Sequence, residues 1–346
     1  MSALKIETTR SIAAEIRAVA ARTDLRTEQM YEVIAAIMSG EVSQTQIAAF
    51  LVALALKGET ADELAGAAAA MRARAVAVRT IRTDAIDVCG TGGDGAGTFN
   101  ISTAVAFVVA GAGVAVAKHG NRAMSSRCGS ADVLEALGVR IELDADRCAQ
   151  ILDRHGIAFL FAQAHHPAMR HVAPVRRELG IRTLFNLLGP LVNPAGVKRQ
   201  IVGVAQAHVQ PIVARALGLL GVDRAAVIHG GDGLDEASLA MPTRVIEWRG
   251  LGTIEYALLP EHAGFERVPT CALEGGDAEA NAAMVRAVLD GRAGPRRDVV
   301  TLNAALALLI AGAAADIAQG AAAARRSIDS GAARAKLDDL VRESQR

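Results

Sequence analysis

From residue 85 onward the chain alternates short apolar runs with helix-patterned segments, and this rhythm narrows the available folds more than any other feature. The runs are "AIDVC", "VAVAK", "IAFLF", "QIVGVA", "AAVIHG" and "RVIEW". Near-continuous apolar runs of this length, separated by helical patterns, are what parallel strands covered on both faces require. The fold class is therefore α/β, with a mainly parallel central sheet in a large domain over residues 81–346. A length of 346 residues and a hydrophobic share of 51% supply the material for such a core.

The chain before this point reads as helices. Thr27 precedes Met30, Val33, Ile34 and Ile37 at helical spacing, and Gly40 stops the run. Ser43 with Gln46, and Thr60 with Glu63, form capping-box patterns that open two more helices. These short helices predict a small helical domain over residues 1–80, its last element ending near Val78. A later stretch, "HHPAMRHVAPVRRELGIRTLFNLLGPLVNPAG", lacks strand character and is rich in proline. It is expected to cross between the domains, with part of 165–197 joining the small one and lying beside a cleft suited to substrate.

The turn after the first strand, "DVCGTGGDGAGTFNIST" over 87–103, meets the G-x-G-x-x-G pattern through Gly90, Gly92 and Gly95. Two features argue against a dinucleotide. Asp94 lies inside the turn, and the next strand ends in Lys118 where an acidic residue would hold the ribose. A pyrophosphate carrying Mg²⁺ removes both objections: Lys118 binds phosphate, and Asp94 acts on the loop or on a metal-bound water. Asn100, Ser102 and Thr103 open the following helix, where hydroxyls and free N–H groups favour an anion. Downstream, "KHGNRAMSSRCGSADVLEALG" over 118–138 brings Lys118, Arg122 and Arg127 together with Ser125, Ser126 and Ser130, in the manner of a second phosphate cradle. His119 reads as a structural histidine or as a substrate contact.

Thirty-seven basic against thirty-seven acidic side chains remove the field that nonspecific binding to nucleic acid or acidic membranes needs. The cysteines, Cys89, Cys128, Cys148 and Cys271, are widely spaced and form no C-x-x-C pair, so neither a zinc site nor a disulfide framework is indicated. The N-terminal "MSALKIETTRSIAAEI" has no apolar core of a signal peptide. The longest apolar run, 104–117, is shorter than the ~20 residues of a spanning helix and is broken by Gly111 and Gly113. A soluble, cytoplasmic protein is expected, with no nucleic-acid or membrane partner.

Four segments together, "GTGGDGAGTFNIST", "KHGNRAMSSRCGSADVLEALG", "HHPAMRHVAPVRRELGIRTLFNLLGPLVNPA" and "GLDEASL", resemble the anthranilate phosphoribosyltransferase family in order and register. The resemblance runs from "GEVSQTQIAAFLVALALKGET" to "RRDVVTLNAALALL". It implies a homodimer of the nucleoside phosphorylase-like phosphoribosyltransferase class, acting in tryptophan biosynthesis on phosphoribosyl pyrophosphate and anthranilate with two Mg²⁺ per subunit. By motif position it implies that Gly90, Gly93, Asp94, Thr98, Asn100, Ile101, Ser102, Thr103, Lys118, His119, Gly120, Asn121, Arg122, Ala123, Met124, Ser125, Ser126 and Ser130 hold phosphoribosyl pyrophosphate. Gly90, Asn121, His166 and Arg176 would face anthranilate, and Ser102, Asp235 and Glu236 would serve the metals. Cys128 departs from the serine expected there, and Ala96-Gly97 departs from the more usual Ala-Asn.

These residue types suit the reaction. Displacing pyrophosphate from ribose C1 builds positive charge on the sugar and negative charge on the leaving group, so the site needs electrostatics at the pyrophosphate more than a strong base. A neutral aromatic amine needs placement, which a planar guanidinium at Arg176 provides by gripping a carboxylate through two parallel bonds. The plainer alternatives are a surface Arg176 paired with Glu178 and a solvated acidic turn at Asp235–Glu236. Two competing functions are a pyrimidine nucleoside phosphorylase-like enzyme and a non-catalytic nucleic-acid-binding paralogue.

Overall fold

The computed structural model describes residues 10–123 and 127–346. Four helices come first: α1 (Ala13–Ala20), α2 (Thr27–Met38), α3 (Gln44–Lys57) and α4 (Ala61–Arg72). The Thr60–Glu63 capping box is present in both directions. Ser43 caps α3 by accepting from the N–H of Gln46, but the reciprocal half predicted for Gln46 is absent. Its side chain instead accepts from the N–H of Ile12 at 3.1 Å, tying the start of α1 to α3.

The α/β part begins with β1 (Ile86–Gly90), α5 (Ile101–Gly111), β2 (Val116–Gly120), α6 (Ser130–Ala136), α7 (Ala145–His155) and β3 (Ile157–Phe161). The crossing segment follows as short helices α8 (Ala162–His165), α9 (Ala173–Leu179) and α10 (Leu184–Leu188) with 3-10 turns between them. Next come β4 (Arg199–Gly203), α11 (Gln210–Leu219), β5 (Arg224–Gly230), β6 (Thr243–Trp248) and β7 (Thr253–Leu258). The chain closes with α12 (Ala278–Leu289), α13 (Pro295–Ala311), α14 (Ile317–Asp329) and α15 (Ala332–Ser344).

The strands form one sheet in the order β3-β2-β1-β4-β5-β6-β7. The first five in that order are parallel, and β6 and β7 are antiparallel. The expectation that "RVIEW" is a parallel strand is therefore corrected. Residues 231–242, which join β5 to β6, contain no helix, and a parallel return needs a crossover of a dozen or more residues, usually helical. β7 was not anticipated, because its outer residues are exposed and its pattern is not apolar.

Two large apolar cores flank the sheet, and a smaller one packs Cys148 and Leu152 of α7 against Ala117 of β2 and Ala158 and Leu160 of β3. One large core packs α5, α13 and the C-terminal helices around Val88, Phe107, Val133 and Ile201. The other joins α2, α3 and α4 to Val172, Val175, Leu184, Phe185 and Leu188 of the crossing segment and to Val202 and Val227 of the sheet. The crossing segment thus shares its core with the N-terminal helices. Among the described residues no helix is long and apolar enough to cross a membrane.

Candidate active site at the strand switch point

The chain leaves β1 toward β2 and β3 on one side and returns at β4 on the other, so the carboxyl ends of β1 and β4 bound a topological switch point. Such crevices are where open α/β sheets bind ligands. β1 delivers the glycine turn there. Gly92, Gly93, Gly95 and Gly97 all have positive φ, between +64° and +79°, which side-chain-bearing residues rarely adopt. The far limb of the turn is tied down: Thr98 bridges Glu274, and Gly275 donates to the Gly97 carbonyl at 2.9 Å.

The loop after β5 folds back over the same crevice. A side chain at Gly203, the last residue of β4, would overlap the carbonyl of Asp235, and a Cβ on Gly90 would stand 2.7 Å from Asp235 Oδ2. Glycine at both strand ends therefore admits Asp235. Its Oδ2 accepts from the N–H of Gly92 at 2.9 Å, and Glu236 Oε1 accepts from the N–H of Ser102 at 3.1 Å. Asp94 Oδ1 accepts from the N–H of Ala96 at 3.1 Å within its own turn. Desolvation, followed by the charge of Asp94, raises the pKa of Asp235; desolvation and then Asp235 raise that of Glu236. Carboxylates raised in this way gain from a divalent cation.

Among the described residues no three His, Cys, Asp or Glu side chains gather as a closed cation cage. Ser102 Oγ, the third expected ligand, accepts from Lys118 Nζ at 3.1 Å.

Lys118 lies beneath the loop. Its ammonium is buried and donates to the Val88 carbonyl at 2.6 Å and to Ser102, so two of its three donors are committed inward. Burial lowers its pKa, opposed by the charges of Asp87 and Glu236. Asp87 is itself buried, accepts from Asn193 Nδ2 at 2.8 Å and from the His119 N–H at 3.2 Å, and is pushed up to about 6 by burial. The spacing of residues gave no hint of this Asp87–Asn193 clamp.

Asn100 caps α5 by position, but its side chain makes no cap bond. It donates to the Cys128 carbonyl at 3.2 Å and accepts from Asn281 at 2.9 Å, linking the two polar loops. The side chains of Ile101 and Thr103 are buried, and Thr103 Oγ1 has no partner among the described residues. Gly120 faces Ser130 and Phe159, where a Cβ would overlap both. Ser130 Oγ donates to the Asn121 carbonyl at 3.3 Å. Arg122 donates to Asp132 at 3.1 Å and to Glu135, while Ala123 donates its N–H to Asp132 at 3.0 Å. The Arg122 guanidinium is thus matched by two carboxylates of its own loop and helix. Met124, Ser125 and Ser126 lie outside the described residues.

A second cluster lies on the side of the crossing segment. His119 and His166 meet edge to face with ring centroids 5.2 Å apart, and the Nε2 atom of each is buried without a partner among the described residues. Burial, then each histidine's neighbours, brings His119 down to about 3 and His166 to about 4. His119 Nδ1 lies 3.1 Å from the Gly189 carbonyl, so the proton of the neutral ring belongs on Nδ1 and Nε2 is left as an acceptor. His166 borders a cleft with Met38, Met71, Arg74, Ala168 and Met169. Asn121 is exposed and accepts from Gln163 Nε2 at 3.4 Å.

Arg176, on α9, is half-buried with its guanidinium 5.5 Å from the centroid of the Phe185 ring. It has no carboxylate partner among the described residues, and desolvation lowers its pKa. The pairing with Glu178 is not made. Arg182 escaped the sequence reading: it donates to the carbonyls of Gly92 and Gly93 at 3.4 and 3.3 Å, joining the crossing segment to the glycine turn.

Comparison with known proteins follows this geometry. Residues 15–75 match the helical bundle domain of a glycosyl transferase family, and residues 82–334 match its α/β domain. The chain is 56% identical over 333 residues to the anthranilate phosphoribosyltransferase of Thermomicrobium roseum, covering 95% of this chain and 96% of that protein. It is 53% identical over 324 residues to that of Myxococcus xanthus, covering 93% and 96%. The crystal structure of the Thermus thermophilus enzyme superposes with a TM-score of 0.91 at 47% identity, over 96% of this chain and 99% of that one. The Saccharomyces cerevisiae enzyme, solved in complex with PRPP and Mg, gives 0.87 at 28% identity, over 96% and 98%.

Proposed function

The chain belongs to the anthranilate phosphoribosyltransferase family, and from that premise we propose how its cleft performs the transfer. The reaction moves the phosphoribosyl group of phosphoribosyl pyrophosphate to the amine of anthranilate, giving N-(5-phosphoribosyl)anthranilate and pyrophosphate. The observation that carries the assignment of the two halves is their arrangement: anion donors and acidic groups at the switch point, and, on the crossing segment, the guanidinium of Arg176 and the neutral imidazole of His166, which meets that of His119 from β2.

Phosphoribosyl pyrophosphate is assigned to the glycine turn and the start of α5, where N–H groups face developing negative charge. Lys118 adds positive charge from below. Asp235 and Glu236, with Ser102, would hold Mg²⁺, two per subunit, and the bound cation would neutralise the departing pyrophosphate. Arg176 pairs the anthranilate carboxylate. The Nε2 atoms of His119 and His166 accept from the amine N–H groups, so the nitrogen lone pair is directed at C1. Holding two reactants this way is worth roughly 7 to 11 kcal/mol of barrier in well-oriented systems.

The division between domains is placed at residues 80 and 81, with the core shared by α2–α4 and the crossing segment in support. Widely spaced cysteines with no C-x-x-C pair support a cytoplasmic location, and the exposed Leu56 on α3 supports a homodimer. The test is product identification. Incubation with both substrates and Mg²⁺ should yield the phosphoribosylated amine and pyrophosphate in equal amounts by mass spectrometry. Consumption of a pyrimidine nucleoside and phosphate instead would reassign the enzyme.

A further inference from the structure

Two backbone N–H groups at the mouth of the crevice are held by the chain's own carboxylates. Gly92 N–H is taken by Asp235 Oδ2 at 2.9 Å and Ser102 N–H by Glu236 Oε1 at 3.1 Å. One donor belongs to the glycine turn and the other to the first turn of α5. These are the two kinds of donor that phosphate oxygens use at the end of a β-strand. A carboxylate oxygen meets an N–H at much the same distance as a phosphate oxygen does, so each side chain stands in for the anion. The placement is built into the fold: Gly90 and Gly203 have no side chain where Asp235 enters.

We propose that Asp235 and Glu236 are internal occupants of the diphosphate site, so that cation binding and diphosphate binding are coupled through the N–H groups of Gly92 and Ser102. The proposal rests on the Mg²⁺-dependent diphosphate reading given above. A carboxylate that turns to a cation gives up its N–H, and that donor passes to a phosphate oxygen. A diphosphate arriving alone must displace one anion with another, exchanging like hydrogen bonds against charge repulsion. The crevice thereby selects the cation-bound diphosphate over the bare one, and by reciprocity the diphosphate tightens the cation. Asp235 and Glu236 are specificity determinants in addition to ligands.

Calorimetric titration with inorganic pyrophosphate, once in EDTA and once in Mg²⁺, separates this from a charge effect. Glu236→Gln and Glu236→Ala both remove the charge, but only glutamine keeps an acceptor for the Ser102 N–H. In EDTA the alanine variant should bind at least about tenfold tighter than wild type, with glutamine between them, a factor that equals about 1.4 kcal/mol. In Mg²⁺ the order should invert, with wild type tightest. Amide exchange at Ser102 should also quicken in the alanine variant, while the later turns of α5 stay protected as evidence of folding. Alanine no tighter than wild type in EDTA, or equal to glutamine, would overturn the proposal. No binding by wild type in Mg²⁺ would overturn the diphosphate reading itself.

Discussion

His119 and His166 face each other edge to face at 5.2 Å, and both present a buried Nε2 that has no partner among the described residues. An aromatic amine with two N–H groups can satisfy both at once, as the acceptor site proposed for this pair requires.

The first expected consequence is acid sensitivity. The folded pKa values are about 3 for His119 and about 4 for His166, both depressed from an unfolded value near 6.5 by burial. Between those values the unfolded chain binds more protons than the folded one. The contribution to stability is therefore fully present above about pH 6.5 and is lost as pH falls toward 4. The melting temperature should drop over that interval, and His166→Gln should flatten the slope. An unchanged slope would mean that both rings are already charged or solvated.

Arg176 should select the acceptor. Arg176→Lys replaces a two-point grip by one mobile contact, so the anthranilate KM should rise much more than the phosphoribosyl pyrophosphate KM. Arg176→Ala should go further, by the ~1.5 to 3 kcal/mol of hydrogen bonds to a charged group. Steady-state kinetics with each substrate varied in turn decides it; a parallel rise in both KM values would make Arg176 a structural residue of the crossing segment.

Gly203→Ala tests the route by which Asp235 reaches the crevice. The added methyl would overlap the Asp235 carbonyl, which is backbone and cannot swing aside. Overpacking of this kind costs ~1 to 3 kcal/mol, and here it should move the loop that carries Asp235, for which metal binding is proposed. A higher Mg²⁺ requirement with normal circular dichroism is the expected result. Wild-type Mg²⁺ dependence would show that the loop position is immaterial.

Gly93→Ala probes the turn itself. The residue has φ +79° and lies against Arg182. The side chain can yield, but the backbone conformation cannot without about 1 to 2 kcal/mol of strain. Calorimetry should show weaker phosphoribosyl pyrophosphate binding with anthranilate affinity less affected, and equal affinities for wild type and variant would reduce the turn to a connector.

The parts of this architecture legible in the sequence are those with a short repeat. The glycine turn, the parallel strands and the Ser43 and Thr60 caps each declare themselves within about a dozen residues, because strand burial and capping are local. The antiparallel end of the sheet did not, since β7 is a half-exposed edge strand and the direction of β6 depends on the absence of a helix before it. Arg122 and Arg176 look alike as isolated cations. Each lies over a phenyl ring; what separates them is that Asp132 and Glu135 fold onto the first, while the second has no carboxylate partner among the described residues. Gly203 reads as an ordinary strand glycine until the loop carrying Asp235 is seen to cross it.

The most direct test of the central claim is anthranilate fluorescence followed in the presence of phosphoribosyl pyrophosphate across a Mg²⁺ titration, for wild type and for Asp235→Asn with Glu236→Gln. Wild type should consume the fluorescence in a Mg²⁺-dependent manner. The double variant, whose side-chain amide oxygens can still accept from the Gly92 and Ser102 N–H groups, should keep its circular dichroism and lose turnover sharply at every Mg²⁺ concentration. Fluorescence that persists with wild type at all concentrations, or that the double variant consumes at the wild-type rate, would contradict the account.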